Sequence, residues 1–262
     1  MDIEADDLAQ SAFGARPDRW PLPPAATPAE LWHRAVAAGG QGRYASAFAD
    51  LETLVRVAAG GPFASLAHST HASFLRQLGD HDAARPWDGR AWALADGHPE
   101  AAADALVGLA ADALGTGRFE LSADLLHRAA QITADAAPRI PVRLAWVSAE
   151  LAMFTGDGTA AVRHARRAVD LAGAIGSARH AVKSEVVLAA ALCSRGDVEA
   201  CRQVADAALD AAQALALIPL TWALACLLAD VGSAALTPSA VTALRDRSAA
   251  TVRVGGGVWS VR

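Results

Sequence analysis

A glycine-centred turn recurs along the chain at nearly constant spacing, and this repetition limits the possible folds more than any other feature of the sequence. The turns begin at Gly42, Gly79, Gly117, Gly156 and Gly196. Successive turns lie 37, 38, 39 and 40 residues apart, and a weaker sixth turn at Gly232 follows 36 residues later. Self-similarity at a fixed period of about 20 to 50 residues is the signature of stacked repeat architectures. The spacing therefore predicts an array of similar units.

Alanine-rich segments flank each turn, and alanine is the best helix-forming residue. A glycine at the turn can adopt the left-handed conformation that ends the first helix of a pair. The sequence thus predicts an all-α chain built from helix pairs. The predicted pairs are 29–39 with 44–58, 64–78 with 82–96, 100–115 with 119–135, 142–155 with 159–173, 178–194 with 198–215, and a capping pair at 219–231 with 238–252.

Small residues at matching positions after each turn predict how the helices pack. Five residues after the glycine comes a side chain small enough for the two helices of a pair to cross closely. These residues are Ala47, Ala84, Ser122, Ala161 and Cys201. Seven residues further on comes a residue that would face the next unit. These residues are Leu54, Ala91, Ala129, Ala168 and Ala208.

The segments GRYASAFADLETL, from Gly42 to Leu54, and GRFELSADLLHRA, from Gly117 to Ala129, resemble the tetratricopeptide repeat (TPR) in its longer-period bacterial type. The likeness covers about residues 28–232. It departs from the family's period of about 34 residues, because each unit carries a few extra residues between pairs. The resemblance implies a right-handed superhelix (α-solenoid) of about five to six TPR-like helix pairs, with a concave groove that holds a partner.

The two ends of the chain differ from the repeats. Residues 1–27 begin with acidic residues and then carry four prolines, with Pro28 just after them, which predicts an extended or disordered N-terminal arm. Residues 28–252 form the predicted TPR-like repeat domain, and residues 253–262 a glycine-hinged C-terminal tail. Trp259 in this tail either packs on the last repeat as a strap or contacts another molecule.

Composition excludes several classes of function. The net charge of −5 is opposite to the basic surface that nucleic-acid binding requires. The N-terminus lacks the features of a secretory signal, and no apolar run is long enough to span a bilayer. Three widely spaced cysteines fit neither a disulfide framework nor a metal site. We therefore expect a cytoplasmic protein that binds neither nucleic acid nor membrane.

No catalytic or nucleotide-binding motif is present in the sequence. The best candidate for a metal site combines His68, His71, His81 and Asp82, but histidines on array helices are more often polar surface groups. An all-helical enzyme would need titratable groups that converge in a pocket. The sequence predicts neither a catalytic residue, a metal site nor a cofactor.

The TPR resemblance implies that the groove is lined by fixed positions of each first helix. The residues predicted for this partner-binding groove are Trp32, His33, Ser73, Arg76, Trp146, Glu150, Met153 and Lys183. Tryptophan and methionine are typical anchors for a peptide or helix ligand. The alternative is that Trp32 and Trp146 pack against the chain's own terminal arms.

These features predict an adaptor or regulator that binds a protein or peptide partner in the concave groove. A second hypothesis is a regulatory array that senses a small molecule or peptide and lacks its own effector domain. A self-associating scaffold, such as a homodimer, is a third. Repeat arrays carry many different functions, so the residues of the site, and not the fold, must distinguish these hypotheses.

Overall fold

The computed structural model describes the backbone of residues 3–260 and the side chains of residues 7–133 and 135–260. This range folds into α-helices and contains no strand, which confirms the all-α class. The helices are α1 (Ile3–Phe13), α2 (Pro28–Gly40), α3 (Tyr44–Ala58), α4 (Gly61–Gln77), α5 (His81–Leu94), α6 (Pro99–Gly115), α7 (Phe119–Ile132), α8 (Arg139–Phe154), α9 (Gly158–Ile175), α10 (Ala178–Arg195), α11 (Val198–Ala214), α12 (Ile218–Val231) and α13 (Pro238–Val254). A short 3₁₀ helix at Thr133–Asp135 follows α7.

Helices α2 to α13 correspond one to one with the twelve predicted helices. The largest shifts are three residues, at the start of α4, at the end of α7 and at the start of α8. Helix α8 begins at Arg139, whereas the predicted start is residue 142. Pro141 lies in the first turn of this helix, where a missing N–H costs no helical hydrogen bond. Helix α8 therefore begins before Pro141, and not after it as expected if this proline interrupted the helix.

The turns between the helices of each pair confirm the predicted glycine geometry. All five glycines have φ between 74° and 91°, in the left-handed region. The small residues five positions later are fully buried, with no exposed surface. They are Ala47, Ala84, Ser122, Ala161 and Cys201. The crossing points of the pairs are therefore those that the sequence predicted.

Each helix pair packs on the next. We call α2, α4, α6, α8, α10 and α12 the first helices, and their partners α3, α5, α7, α9, α11 and α13 the second helices. Each first helix contacts both its own second helix and the next first helix. Three buried apolar clusters run along the array, in its N-terminal, middle and C-terminal parts. The first helices thus form a continuous inner layer.

The N-terminal arm is not extended or disordered as expected, because residues 3–13 form helix α1, which packs on α2 and α10. Leu8 and Ala12, four residues apart on one face, are buried. The prolines begin only at Pro17, after the helix ends. The segment from residue 14 to 27 is irregular and runs along α2, where the Gln41 side chain donates hydrogen bonds of 2.8 Å to two of its carbonyl oxygens.

The last helix pair packs against the first. Val252 of α13 shares a buried cluster with Tyr44 of α3. The Ala45 N–H donates a 2.8 Å hydrogen bond to the Gly255 carbonyl, and the Ser260 N–H donates one of 2.8 Å to the Leu78 carbonyl. The array therefore closes on itself through the tail. The first two and last two residues of the chain, which belong to the predicted arm and tail, lie outside the described residues.

Within the described residues, no helix combines the length and the apolar character that a bilayer-spanning segment needs.

Candidate functional site

Rings and guanidinium groups from α1, α2, α8 and α10 meet at one point of the inner layer. Phe13 lies at the centre, with its ring centroid 5.1 Å from that of Trp32, 5.7 Å from His33 and 6.0 Å from His180. Two guanidinium carbons lie over the same ring, that of Arg139 at 5.5 Å and that of Arg179 at 5.7 Å. We call this group the Phe13 cluster: Phe13, Trp32, His33, Arg139, Arg179 and His180.

Local structure fixes the α2 part of the cluster. Thr27 and Glu30 form a reciprocal capping box that starts α2 just before Trp32. The indole N–H of Trp32 donates a 3.0 Å hydrogen bond to the hydroxyl of Thr70 on α4. Because both the helix start and the indole are held, Trp32 presents its ring to Phe13 in one orientation.

The α8 part of the cluster is held by acidic residues of α6. Arg139 donates hydrogen bonds of 2.8 Å to Glu100 and 2.7 Å to Asp104. Arg143, one turn further along α8, also forms an ion pair with Asp104. Burial lowers the pKa of Arg139, and that of Arg143 to about 10. Three buried or half-buried arginines, counting Arg179, therefore face two carboxylates here.

Arg179 is the cation of the cluster without a carboxylate. Among the described residues its Nε atom is inaccessible to solvent and has no hydrogen-bond partner, and no described carboxylate lies within ion-pair distance of its guanidinium. Burial and the positive charge of Arg139 lower its pKa to about 10. The guanidinium stays charged at neutral pH, so the site favours a negatively charged group.

The two histidines of the cluster are neutral at pH 7. Burial, reinforced by nearby arginine charge, lowers the pKa of His33 and lowers that of His180 further. His180 Nδ1 lies 2.8 Å from the hydroxyl of Ser177 at the start of α10. Both rings therefore act as flat, weakly polar surfaces and add no positive charge to the site.

The predicted groove residues of α8 and α10 continue from the cluster. Trp146 stacks on His180 at a centroid distance of 5.3 Å and donates a 2.8 Å hydrogen bond to Ser184. Glu150 and Lys183 form an ion pair across the two helices at 3.8 Å. Met153 packs on the C-terminal apolar cluster. The structure thus links Trp32, His33 and Trp146 through the rings of Phe13 and His180, with Trp32 buried beneath α1.

Two predicted groove residues of α4 have partners within the chain. Arg76 is not a free groove residue, because it forms ion pairs with buried Asp88 of α5 and with buried Asp112 of α6, the latter at 2.9 Å. Ser73 accepts a hydrogen bond of 3.2 Å from Gln77 on its own helix. Arg76 therefore joins three helices. The position of Arg76 on a first helix, on which its prediction as a groove residue rested, could not distinguish joining helices from binding a ligand.

Trp259 packs within its own chain. Its ring lies 4.1 Å from that of Trp222 on α12, and its N–H donates a 3.3 Å hydrogen bond to the Ala249 carbonyl. Of the two interpretations of the tail, the packed strap is the one that this geometry favours.

The histidines considered for a metal site pack on aromatic rings. His71 stacks on Trp87 with a centroid distance of 3.6 Å, and His68 lies 5.5 Å from the same ring. Within the part of the chain that the structure describes, no three His, Cys, Asp or Glu side chains converge as metal ligands would.

Sequence reasoning missed Phe13, Arg139, Arg179 and His180. Phe13 lies in the segment that was expected to be extended, and Arg139 precedes the predicted start of its helix. Arg179 and His180 lie in the first turn of the predicted helix 178–194, before the groove position predicted at Lys183. One signal was present: Glu100, Asp104 and Asp112 are acidic residues in an alanine-rich helix that is otherwise mostly apolar. Buried carboxylates require cationic partners, and arginines on the neighbouring helices supply them.

Comparison with protein-family models and with curated proteins finds no match for this sequence. The likeness to tetratricopeptide repeats rests on the glycine spacing and on the small residues at the helix crossings.

Proposed function

We propose that this chain is a non-catalytic protein-interaction module, an adaptor or regulator, that binds a peptide or a partner helix in the groove of its first helices. In this proposal the helix pairs are TPR-like units stacked in a right-handed superhelix, and the first helices line its concave side. The module would act in the cytoplasm, without a cofactor.

The observation that carries this proposal is the position of α1. This helix belongs to none of the six pairs, yet it lies on the inner layer against α2 and α10, with Phe13 among the rings of both. A surface that accepts one amphipathic helix has the apolar character to accept another, as in helix-in-groove recognition.

The residues of this surface suit such a role. Trp32 and Trp146 are held by hydrogen bonds from their indole N–H groups, so little conformational freedom is lost when a ligand packs on them. Arginine and tryptophan are also the residues that most often dominate binding energy at interfaces.

A second function, sensing of a small anionic molecule, is supported by Arg179, whose Nε has no described hydrogen-bond partner. A carboxylate-bearing ligand that paired with it would stabilise the folded chain by mass action. A thermal-shift screen of small carboxylates and phosphates tests this function. A saturable rise in Tm that Arg179→Gln abolishes would support sensing, and a flat screen would count against it.

The experiment that tests the leading proposal is affinity capture from native lysate with three baits: the wild type, a Trp146→Ala/Glu150→Ala groove variant, and a control. The control is Arg163→Ala/Arg167→Ala, which changes exposed residues of the second helix α9. We expect a partner that binds the wild type and the control but is lost from the groove variant. Equal capture by all three baits, each shown to be folded by circular dichroism, would move the site away from the groove.

A further inference from the structure

Helix α1 is attached to the array by contacts that can be exchanged. From Asp7 to Phe13, no described side chain of α1 forms a hydrogen bond or an ion pair with the helices that it covers. The Ser11 hydroxyl donates to the Asp7 carbonyl within α1, and Asp7 pairs with Arg19 of the arm itself. Tilted and edge-on ring contacts, cation–π contacts and apolar burial, which many helices could supply, therefore hold α1 in place.

The length of α1 leads to the same conclusion. Helices shorter than about 12 to 15 residues are marginal in water by themselves, and α1 has 11 residues. Its helical state therefore depends on docking. Only Ala12 and Phe13 of α1 take part in the N-terminal apolar cluster, whose other buried members all come from the repeat helices and the turns between them.

The charge of the site exceeds what α1 satisfies. The carboxylates of Glu100 and Asp104 are already engaged by Arg139 and Arg143. To Arg179, α1 offers only the face of the Phe13 ring. An ionised hydrogen-bond acceptor at this point would form a charge-assisted bond, which is roughly twice as strong as a neutral one.

The end of α1 indicates where that acceptor belongs. The Gly14 carbonyl accepts a 3.1 Å hydrogen bond from the Ala178 N–H, so the residues just after Phe13 pass directly beside Arg179. The side chain of Ala15, which follows, is exposed and too short to reach the guanidinium. A side chain at the Gly14 position would collide with the backbone of α1 at Gln10. A carboxylate two residues after the aromatic residue would therefore lie in the correct region.

We propose that α1 occupies the place of a partner helix as its internal competitor, and that the partner is an acidic amphipathic helix with an aromatic residue at its C-terminal end and a carboxylate shortly after it. The inference rests on the proposed function. The aromatic residue takes the place of Phe13 among Trp32, His33 and His180, and the carboxylate pairs with Arg179.

The competition has a quantitative consequence. A short tether holds α1 at an effective concentration in the millimolar range, so a helix of equal intrinsic affinity added at micromolar concentration cannot displace it. A change that loosens α1 raises the apparent affinity for an added helix by the same factor, because it increases the fraction of open chains.

The test uses the full chain with Phe13→Ala and, as the probe, a fluorescent peptide of residues 1–16. We expect the peptide to bind this variant at least about 10-fold more tightly than the wild type. A peptide with Phe13→Ala should not bind. A peptide with Ala15→Glu should bind the variant about 5-fold more tightly than the parent peptide, and Arg179→Gln in the protein should abolish this gain.

Two outcomes would overturn the inference. Equal peptide affinity for the wild type and for a folded Phe13→Ala variant would show that α1 does not compete. If the Ala15→Glu peptide bound no more tightly than the parent peptide, the partner would not need a carboxylate after its aromatic residue. If the peptide fails while lysate capture still depends on Trp146 and Glu150, the proposed function stands and only this inference fails.

Hydrogen exchange on the wild type keeps the inference testable if the variant does not fold. We expect the α1 amides to exchange at least about 100-fold faster than those of α2, because α1 opens by itself. Equal protection of the two helices would show that α1 is a fixed part of the core and would overturn the proposal.

Discussion

Side chains of minimal size lie where the helices cross. Ala161, like its counterparts in the other units, has no exposed surface, and the residue seven positions on, Ala168, is also fully buried. Protein interiors are packed as densely as organic crystals, so these positions cannot accept larger groups without moving a helix. The repeat pattern therefore reflects a steric requirement for a small side chain at the helix crossing of each unit.

This rule predicts that Ala161→Leu lowers the free energy of unfolding by about 2 kcal/mol or more, because the added methylene groups overpack the α8–α9 crossing. The matched control is Ala174→Leu, on the exposed face of the same helix α9, for which we expect a change within about 0.5 kcal/mol. Urea unfolding measures both. Equal effects of the two substitutions would contradict the rule.

His71 makes stability depend on pH. Burial and the charge of His68 lower the pKa of His71 in the folded state to about 4. In the unfolded chain the pKa of a histidine is near 6.5. Between these two pH values His71 is neutral in the folded state and protonated in the unfolded state. Stability from this group is complete above pH 6.5 and is lost as pH falls towards 4. The variant His71→Phe keeps the ring stacking on Trp87 but cannot bind a proton. Between pH 7 and 4.5 we expect its free energy of unfolding to fall by about 2 kcal/mol less than that of the wild type. Identical losses in urea unfolding would contradict this assignment.

At the scale of helices, one buried ion-pair group joins α4, α5 and α6. Arg76 bridges Asp88 and Asp112, and Ser69 donates a 2.8 Å hydrogen bond to Asp88. Burial and the second carboxylate raise the pKa of Asp88 to about 6. Removing one member of such a group leaves a buried charge without its partner. The group therefore fixes how three helices meet.

Gly108 of α6 leaves space for this ion-pair group. Helix propensity alone predicts that alanine at this position stabilises the chain, and the lack of space predicts the opposite. A Cβ atom at Gly108 would lie 2.4 Å from the carboxylate oxygens of Asp88, whereas one at Gly89 of α5 would have no neighbour within 4 Å. We expect Gly89→Ala to raise the free energy of unfolding by about 0.5 to 1 kcal/mol. Gly108→Ala should lower it by about 1 to 3 kcal/mol.

Both glycine substitutions are measured by chemical denaturation. If Gly108→Ala stabilised the chain as Gly89→Ala does, the Asp88 carboxylate could not be packed against α6.

The helices and turns could be predicted from the sequence because they depend on local features: alanine content, the left-handed glycines and the small residues that follow them. The site could be predicted only in part. Trp32, His33 and Trp146 lie on first helices, where a repeat pattern places ligand contacts. Phe13 and Arg179 could not be found in this way, because their meeting depends on which surface α1 docks against, and no periodicity encodes that.

At the scale of the whole molecule, the array is closed. The tail after α13 crosses to the first pair, where Gly255 accepts a hydrogen bond from Ala45. Trp259 then packs on Trp222 of α12. In an open array the two end units contact one neighbour each. Here the ends contact each other, which limits how far the groove can widen around α1 or a partner.

Closure predicts unequal effects at two glycines that share a left-handed backbone. Gly256 has φ of 89°, and a Cβ there would lie 2.7 Å from the Cβ of Ala45; Gly176 has φ of 65° and no neighbour within 4 Å. Both alanine substitutions incur left-handed strain of about 1 kcal/mol. Gly256→Ala should cost about 1 to 2 kcal/mol more, since it also separates the tail from the first pair. Equal losses of Tm would show that the ends are not in contact.

The central claim is that the groove around α2 holds α1 and exchanges it for a partner helix. Site-specific photocrosslinking in lysate tests it most directly, with a photoreactive phenylalanine in place of His33 and, as a control, in place of exposed Arg166 on α9. We predict that the probe at position 33 gives an internal adduct to α1 together with an adduct to a second protein, and that the probe at 166 gives neither. An adduct to a second protein from position 166 alone would contradict the account.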